Sequence, residues 1–403
     1  MLAGDEPHDL LAKWHLDPAV AHLNHGSFGA CPREVLSVER EIEERIERNA
    51  MQFFVRDLEP LLDDARAALG RFVGADPDDL AFVTNASTAV NAVLRSLDLA
   101  PGDELLVTDH AYNACRNALD FVADRVGARV VVAAVPFPIQ GPEAVTSAIL
   151  DVVTPRTRLA LVDHVTSPTA LVFPIADIVR ALGERGVETL VDGAHAPGML
   201  PLDLDRLGAA YYTGNCHKWL CAPKGCAFLH VRRDRQAGVR PLVISHGANA
   251  ERPLRSRFRL EFDWVGTENP APYLSLPAAL GFLEALWPGG HAALVERNRA
   301  LALRTRDALV GLLGGSALAP ASMIGSIASV RIPDGPASPR SALDGEPLQE
   351  ALARSHKIEV PVFSWGAGPG RVRLLRTSSH AYNRWADVQR LSAALREELR
   401  LPA

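Results

Sequence analysis

Lysine is scarce in this chain. Only Lys13, Lys218, Lys224 and Lys357 occur, so arginine supplies nearly all of the 42 basic residues and chemistry that needs a reactive amine has few candidates. Five cysteines are few for 403 residues and odd in number, which fits free thiols in a reducing compartment better than a disulfide framework. A basic excess is missing too: the net charge of -6 offers no field for nucleic acid or anionic lipid, and electrostatics therefore points to a small-molecule substrate. No uninterrupted apolar stretch reaches membrane-spanning length. Residues 1–15, with Asp5, Glu6 and Asp9, lack the basic start and apolar run of a secretory signal. The expectation is a cytoplasmic protein without membrane or nucleic-acid partners.

What is present is a chain with 48% hydrophobic residues, enough for a large core and for two domains. Residues 32–70 read as helices, with Val35, Val38, Ile42 and Ile46 on one stripe and an interruption near 49–54. From residue 80 the pattern changes to short apolar runs alternating with helical stretches, at 105–108, 129–135, 159–163, 189–192 and 227–231. That alternation predicts an α/β fold, a mostly parallel sheet with helices on both faces. A long helical region over 272–313 precedes a smaller part with strands at 326–332 and 371–375, a Pro/Gly/Ser-rich loop at 333–345 and a final amphipathic helix. Internal repeats and low-complexity tracts are lacking.

Asp192 ends the apolar run Thr189-Leu190-Val191 and precedes Gly193-Ala194-His195, which puts its carboxylate at the C-terminal edge of the sheet, where open parallel sheets bind ligands. Lys218 follows in Thr213-Gly214-Asn215-Cys216-His217-Lys218-Trp219, a short polar turn after the apolar 209–212. An acid and an amine thus meet on one rim. Pyridoxal catalysis uses such a pair: the lysine forms an imine, while the carboxylate keeps the pyridine nitrogen protonated so that the ring accepts electrons. Taken singly, Asp192 reads equally well as a turn cap and Lys218 as a surface residue.

Thr84-Asn85-Ala86-Ser87-Thr88 lies between the apolar 80–83 and the helical 89–97, so small hydroxyl residues sit where the N–H groups of a helix start are unpaired. That is a phosphate cradle, although on its own it reads first as an ordinary helix cap. Tyr112, just beyond the strand at 105–108, is on the same rim and is able to lie flat on an aromatic ring. Cys216, Cys221 and Cys226 surround Lys218, but structural zinc favours closer cysteine pairs and needs a fourth ligand; small buried hydrophobes account for them better, and no metal is expected.

Taken together these residues resemble the class V branch of the aminotransferase fold, most closely the isopenicillin N epimerase-like group. The likeness rests on Leu23-Asn24-His25-Gly26-Ser27-Phe28-Gly29, the cradle at 84–91, Asp109-His110-Ala111-Tyr112-Asn113, the segment 191–195, Asn215-Cys216-His217-Lys218-Trp219, Trp264-Val265-Gly266-Thr267, and Arg376 with Tyr382-Asn383. The resemblance implies aminotransferase fold type I, with an N-terminal segment 1–30, a large domain 31–285 with a seven-stranded sheet, and a small domain 286–403. It implies pyridoxal 5'-phosphate on Lys218, Asp192 on the pyridine nitrogen and His195 beside the phenolic oxygen. Tyr112, or alternatively His110, would stack on the ring. Ala86, Ser87, Asn215 and His217 would serve the phosphate, and Thr267 would reach the phosphate of the neighbouring subunit in a homodimer. Arg376 would grip the substrate carboxylate, a bidentate task suited to guanidinium. Asn24 and His25 would lie on the substrate side, and Arg56 would meet a second carboxylate or form a surface ion pair.

Desulfurases of this branch carry a nucleophilic cysteine shortly before the substrate arginine, and the stretch 355–376 has none. The expected activity is therefore epimerisation or racemisation at the α-carbon of an amino acid. A C–S or related elimination is the runner-up, transamination a third reading, and a non-catalytic pyridoxal-phosphate sensor a remote one. All three reactions begin with the same carbanion.

Overall fold

The computed structural model describes residues 10–335, 345–366 and 371–402. Seven strands form its main sheet: β1 (Leu80–Val83), β2 (Glu104–Thr108), β3 (Arg129–Ala133), β4 (Thr157–Asp163), β5 (Glu188–Asp192), β6 (Tyr211–Asn215) and β7 (Ala227–Val231). Their order across the sheet is β1-β7-β6-β5-β4-β2-β3, and only β7 runs against the rest.

The central strands are apolar at nearly every position because both faces are covered. Leu105, Val107, Leu159, Leu161 and Leu190 pack with helices Ala86–Ser96 and Asn113–Val126, whereas Leu106, Ala160, Val162 and Val191 join the core that includes helices Leu58–Val73, Ile175–Gly183 and Leu276–Leu286. Alternate residues of a strand point to opposite faces, so each run feeds both cores. Burying each such aliphatic side chain contributes about 1.5–3 kcal/mol. The outer strand β3 is more exposed, as an edge strand covered on fewer sides should be.

A second, three-stranded antiparallel sheet contains β8 (Ile327–Ile332), β9 (Val362–Trp365) and β10 (Val372–Ser378), in the order β9-β10-β8. Ala21–His22 pairs in parallel with Ile358–Glu359, which ties the N-terminal segment to this part of the chain.

Several expectations need correction. The helical region at 272–313 is divided into Ala271–Leu274, Leu276–Leu286 and Gly290–Leu313, the last break falling where Pro288-Gly289-Gly290 cannot continue a helix. Thr213, Gly214 and Asn215 belong to β6 and are buried, not to a polar turn. Arg376 lies inside β10, whose sequence end had been placed at 375. β9 had no counterpart in the reading of the sequence. Residues 336–344 of the loop expected at 333–345 lie outside the described residues.

Because β1 to β6 run the same way, Val83, Thr108, Asp163, Asp192 and Asn215 all end on one edge. The loops that leave this edge carry most of the residues singled out above.

Candidate active site

Lys218 sits in a turn that its backbone bonds make rigid. The N–H groups of Cys216 and His217 both donate to the Cys226 carbonyl, at 3.0 and 3.1 Å, and the Lys218 carbonyl accepts from Cys221 N–H at 3.1 Å. Gly29 presses against this turn with φ of +67°; a Cβ there would lie 1.9 Å from the His217 carbonyl oxygen, so only glycine fits. The Lys218 amine reaches His195 Nε2 at 3.3 Å. Burial first, and then the charge of Arg376, lower its pKa to about 8.

His195 arrives from the turn after β5. Gly193 makes that turn possible, since a Cβ would lie 2.3 Å from the Tyr212 ring. Asp192, one residue earlier, accepts the Ala194 N–H on Oδ1 and the Cys115 thiol on Oδ2, each at 3.0 Å. Asp163 stands directly beside it in the sheet register. Burial, and then the neighbouring Asp192, push the Asp163 carboxyl well above the usual carboxylate range, so it holds its proton.

Asn85, Ser87 and Asn215 meet at the start of helix Ala86–Ser96. Asn85 caps it by accepting the Thr88 N–H at 2.9 Å, and Asn215 Oδ1 accepts the Ala86 N–H at 2.9 Å. The Ala86 amide is therefore already spent on Asn215, while the Ser87 N–H and hydroxyl have no partner among the described residues. An unpaired N–H at the N-terminus of an 11-residue helix suits an anion. His217 bonds the Cys226 carbonyl through Nδ1 at 3.1 Å, and burial lowers its pKa to about 4, so it is neutral.

Arg376 is 1% exposed, and among the described residues its hydrogen-bond partners are all neutral. Nη1 donates to the Ser167 carbonyl and hydroxyl at 2.8 and 3.1 Å, and Nη2 to Ser27 Oγ at 3.1 Å and Asn24 Oδ1 at 3.4 Å. Its Nε–H has no partner among the described residues. Phe363 lies under the guanidinium, 5.2 Å from centroid to carbon. Buried positive charge without an acid is costly, about several kcal/mol, and is the condition in which a ligand carboxylate binds best.

His110 and Tyr112 are now distinguished by position. His110 is 1% exposed, bonded to Thr169 Oγ1 at 2.7 Å and the Val135 carbonyl at 3.3 Å, and packed among Phe137, Phe173 and Trp365. Tyr112 is 42% exposed at the head of helix Asn113–Val126. His25, expected on the substrate side, lies directly behind the Lys218 turn. It is 2% exposed, bonds Tyr382 Oη at 2.8 Å and the Lys218 carbonyl at 3.0 Å, and stacks on His380 at 4.0 Å.

Thr267 and Arg56 make no hydrogen bond to these residues among those described. Thr267 is exposed in the loop after helix Arg257–Asp263, and Arg56 is exposed with Gln52 Oε1 at 3.3 Å as its hydrogen-bond partner. Cys115 and Ser167 were not foreseen. The one signal for Cys115 was its place one turn beyond Tyr112 on a helix starting at the rim; Ser167 had none.

Comparison with known proteins identifies the family. The model of the class-V aminotransferases matches residues 30–391. An isopenicillin N epimerase of Amycolatopsis lactamdurans is 38% identical over 396 residues, 95% of this chain and 96% of that protein. A probable chloroplastic L-cysteine desulfhydrase of Arabidopsis thaliana is 30% identical, over 94% of this chain and 83% of its own length. Among solved structures, the cysteine desulfurase CsdA of Escherichia coli superposes with a TM-score of 0.77 at 20% identity, covering 97% of this chain and 98% of that one. At that identity the likeness concerns the fold.

Proposed function

Because this chain belongs to the class-V aminotransferase family and is a pyridoxal-phosphate-dependent enzyme, we propose that Lys218 holds the cofactor and that the reaction is epimerisation or racemisation at the α-carbon of an amino acid or amino-acid-bearing metabolite. The residues present fit the group: an amine at Lys218, a fixed carboxylate at Asp192, and an unpaired helix-start N–H at Ser87 share one rim. When bound, pyridoxal phosphate supplies the electron sink that makes a bond to the α-carbon labile.

The protein's own groups divide the remaining work. Arg376 takes the substrate carboxylate and so fixes which bond at the α-carbon stands toward Lys218. Lys218, with its pKa near 8, carries a proton at Nζ near neutral pH without much penalty in either direction. Tyr112 covers an aromatic ring from the open side, Ser87 and His217 hold the phosphate, and Asn215 fixes the cradle through Ala86.

The observation that carries the substrate class is the buried Arg376 with neutral partners only. Epimerisation is favoured over persulfide chemistry because all five cysteines are buried and none lies in 355–376. The similarity to a desulfhydrase keeps a C–S elimination as the second reading. Transamination, which needs release of the cofactor's amine form, is the third. The exposed position of Thr267 supports a homodimer in which it reaches the other subunit's phosphate, Arg56 would meet a second substrate carboxylate or form a surface ion pair, and the buried free thiols support a cytoplasmic setting. In this reading residues 1–30, 31–285 and 286–403 act as entry segment, large domain and small domain.

Incubation of the purified enzyme in deuterium oxide with a panel of L-amino acids, thioethers and amino-acid-bearing peptides separates these readings. Inversion with deuterium at the α-carbon is the expected result. Pyruvate release with thiol identifies the lyase, and keto-acid formation at the expense of the cofactor identifies the transaminase.

A further inference from the structure

Trp219 follows Lys218 directly, is 1% exposed, and is held without freedom. Its indole packs 4.9 Å from the His25 ring, and Gly198, at φ of +86°, lies so close to its backbone that a Cβ would come within 2.6 Å. Its Nε1–H is directed at Nδ1 of His195, 3.4 Å away. An indole nitrogen donates and never accepts, so the His195 nitrogen that faces it must present a lone pair. His195 is fully enclosed, and burial first, then the positive charges of Lys218 and Arg376 and the nearby His25, keep it neutral. A neutral imidazole with a bare Nδ1 carries its one proton on Nε2. That nitrogen is the one 3.3 Å from Lys218 Nζ.

We infer that Trp219 is a positioning residue that fixes His195 as the Nε2–H tautomer, so that the histidine enters the cofactor pocket as a hydrogen-bond donor. This rests on the reading of Lys218 and His195 as cofactor residues given above. Without the indole, the two tautomers of a neutral imidazole differ little in energy, and the Nδ1–H form would turn a bare nitrogen toward the pocket. The consequence for the amine is direct: above about pH 8, the range in which the tautomer is to be read in the cofactor-free protein, Lys218 Nζ is neutral and accepts from His195 Nε2–H, and in the loaded enzyme an anionic oxygen of the cofactor would take the amine's place as acceptor.

A second chain has the same polarity. The Lys218 carbonyl only accepts, so His25 Nε2 must carry hydrogen, its Nδ1 is bare, and the Tyr382 hydroxyl donates to it. Tyr382 to His25 and Trp219 to His195 are therefore two oriented relays that both end on Lys218, one at its backbone and one at its amine.

Nitrogen-15 NMR of the full-length protein labelled at histidine, cofactor-free and loaded, tests the inference, with His195→Gln identifying the resonances. In the cofactor-free protein His195 should show Nδ1 in the unprotonated range and Nε2 in the protonated range. A protonated Nδ1 overturns the inference whatever the cofactor does, so its failure is distinguishable from failure of the Lys218 assignment. In the loaded enzyme, Trp219→Phe keeps an aromatic ring but removes the donor. The midpoint of the pH titration of the visible band should then rise by about one unit, a tenfold change in proton affinity, because an anionic oxygen loses a donor. A folded, cofactor-loaded Trp219→Phe with an unmoved midpoint and an unchanged His195 tautomer would mean that the indole only fills space.

Discussion

The Cys115 thiol donates to Oδ2 of Asp192 across 3.0 Å, while the Ala194 N–H takes Oδ1. A carboxylate held on both oxygens cannot rotate freely, so its orientation toward the rim is fixed. Cys115→Ala leaves one oxygen of a buried carboxylate short of a donor and should destabilise the protein by about 1–3 kcal/mol. Cys115→Ser, which keeps a donor of similar reach, should recover most of that. Urea unfolding of the two variants decides between this account and a purely apolar role for the thiol, in which serine would be the worse substitute.

Lys218 should be the point of cofactor attachment. The wild-type protein should be yellow and should yield a borohydride-fixed adduct on the peptide containing Lys218; Lys218→Ala should do neither. The lysine's pKa near 8 sets the pH dependence of loading, since only the neutral amine attacks. Cofactor capture should fall roughly tenfold per unit as pH drops below about 8 and level off above it. A rate still rising steeply at pH 10 would show an amine with an ordinary lysine pKa.

The central strands were legible because burial on both faces leaves continuous apolar runs, and Asp192 and Lys218 because a charged residue at the end of such a run has a definite place on the rim. In the sequence the strand bearing Arg376 reads three residues short, ending at 375 where it runs to Ser378, for the opposite reason. Three arginines over 371–376 read as a half-exposed strand end, whereas Arg373 is buried against Glu346 and Arg376 against loops from the other sheet. Ser167 contacts Arg376 across 209 residues of chain, and no local pattern records such a meeting. The partners of His25 were equally illegible, since its ring nitrogens are engaged by Tyr382, 357 residues away, and by the Lys218 backbone, 193 residues away.

Thr267 tests the dimer. If it serves the other subunit's phosphate, light scattering should give twice the chain mass and Thr267→Ala should weaken cofactor binding by roughly three- to tenfold, the worth of one hydrogen bond. Mixed dimers sharpen this. A Thr267→Ala subunit paired with a Lys218→Ala subunit has one site with both residues intact, so mixing the two variants should restore tight binding to one of the two sites in each mixed dimer. No restoration on mixing would place Thr267 in its own subunit's site or outside both.

Arg376 ties the structure most directly to the substrate. Its pKa is lowered to about 10 by burial, which still leaves it charged at neutral pH, and its hydrogen-bond partners among the described residues are neutral serine and asparagine groups. Those hydroxyls can rotate to face an incoming carboxylate, so the guanidinium keeps its place while the substrate supplies the missing negative charge. Lysine retains the charge but is a single point with a flexible stem, unable to hold Ser167 and Ser27 and a carboxylate together. Arg376→Lys should therefore lower kcat/KM by roughly ten- to a thousandfold, about 1.5–4 kcal/mol for one misaligned charge-assisted contact, and should leave the visible spectrum of the loaded enzyme in place. Because a carboxylate misheld in the ground state is also misheld when the bond breaks, kcat should fall along with the rise in KM. Steady-state kinetics on the substrate identified in deuterium oxide is the measurement. A lysine variant with near-normal kcat/KM would mean that Arg376 does not hold the substrate carboxylate, and that the buried charge answers to some other part of the ligand.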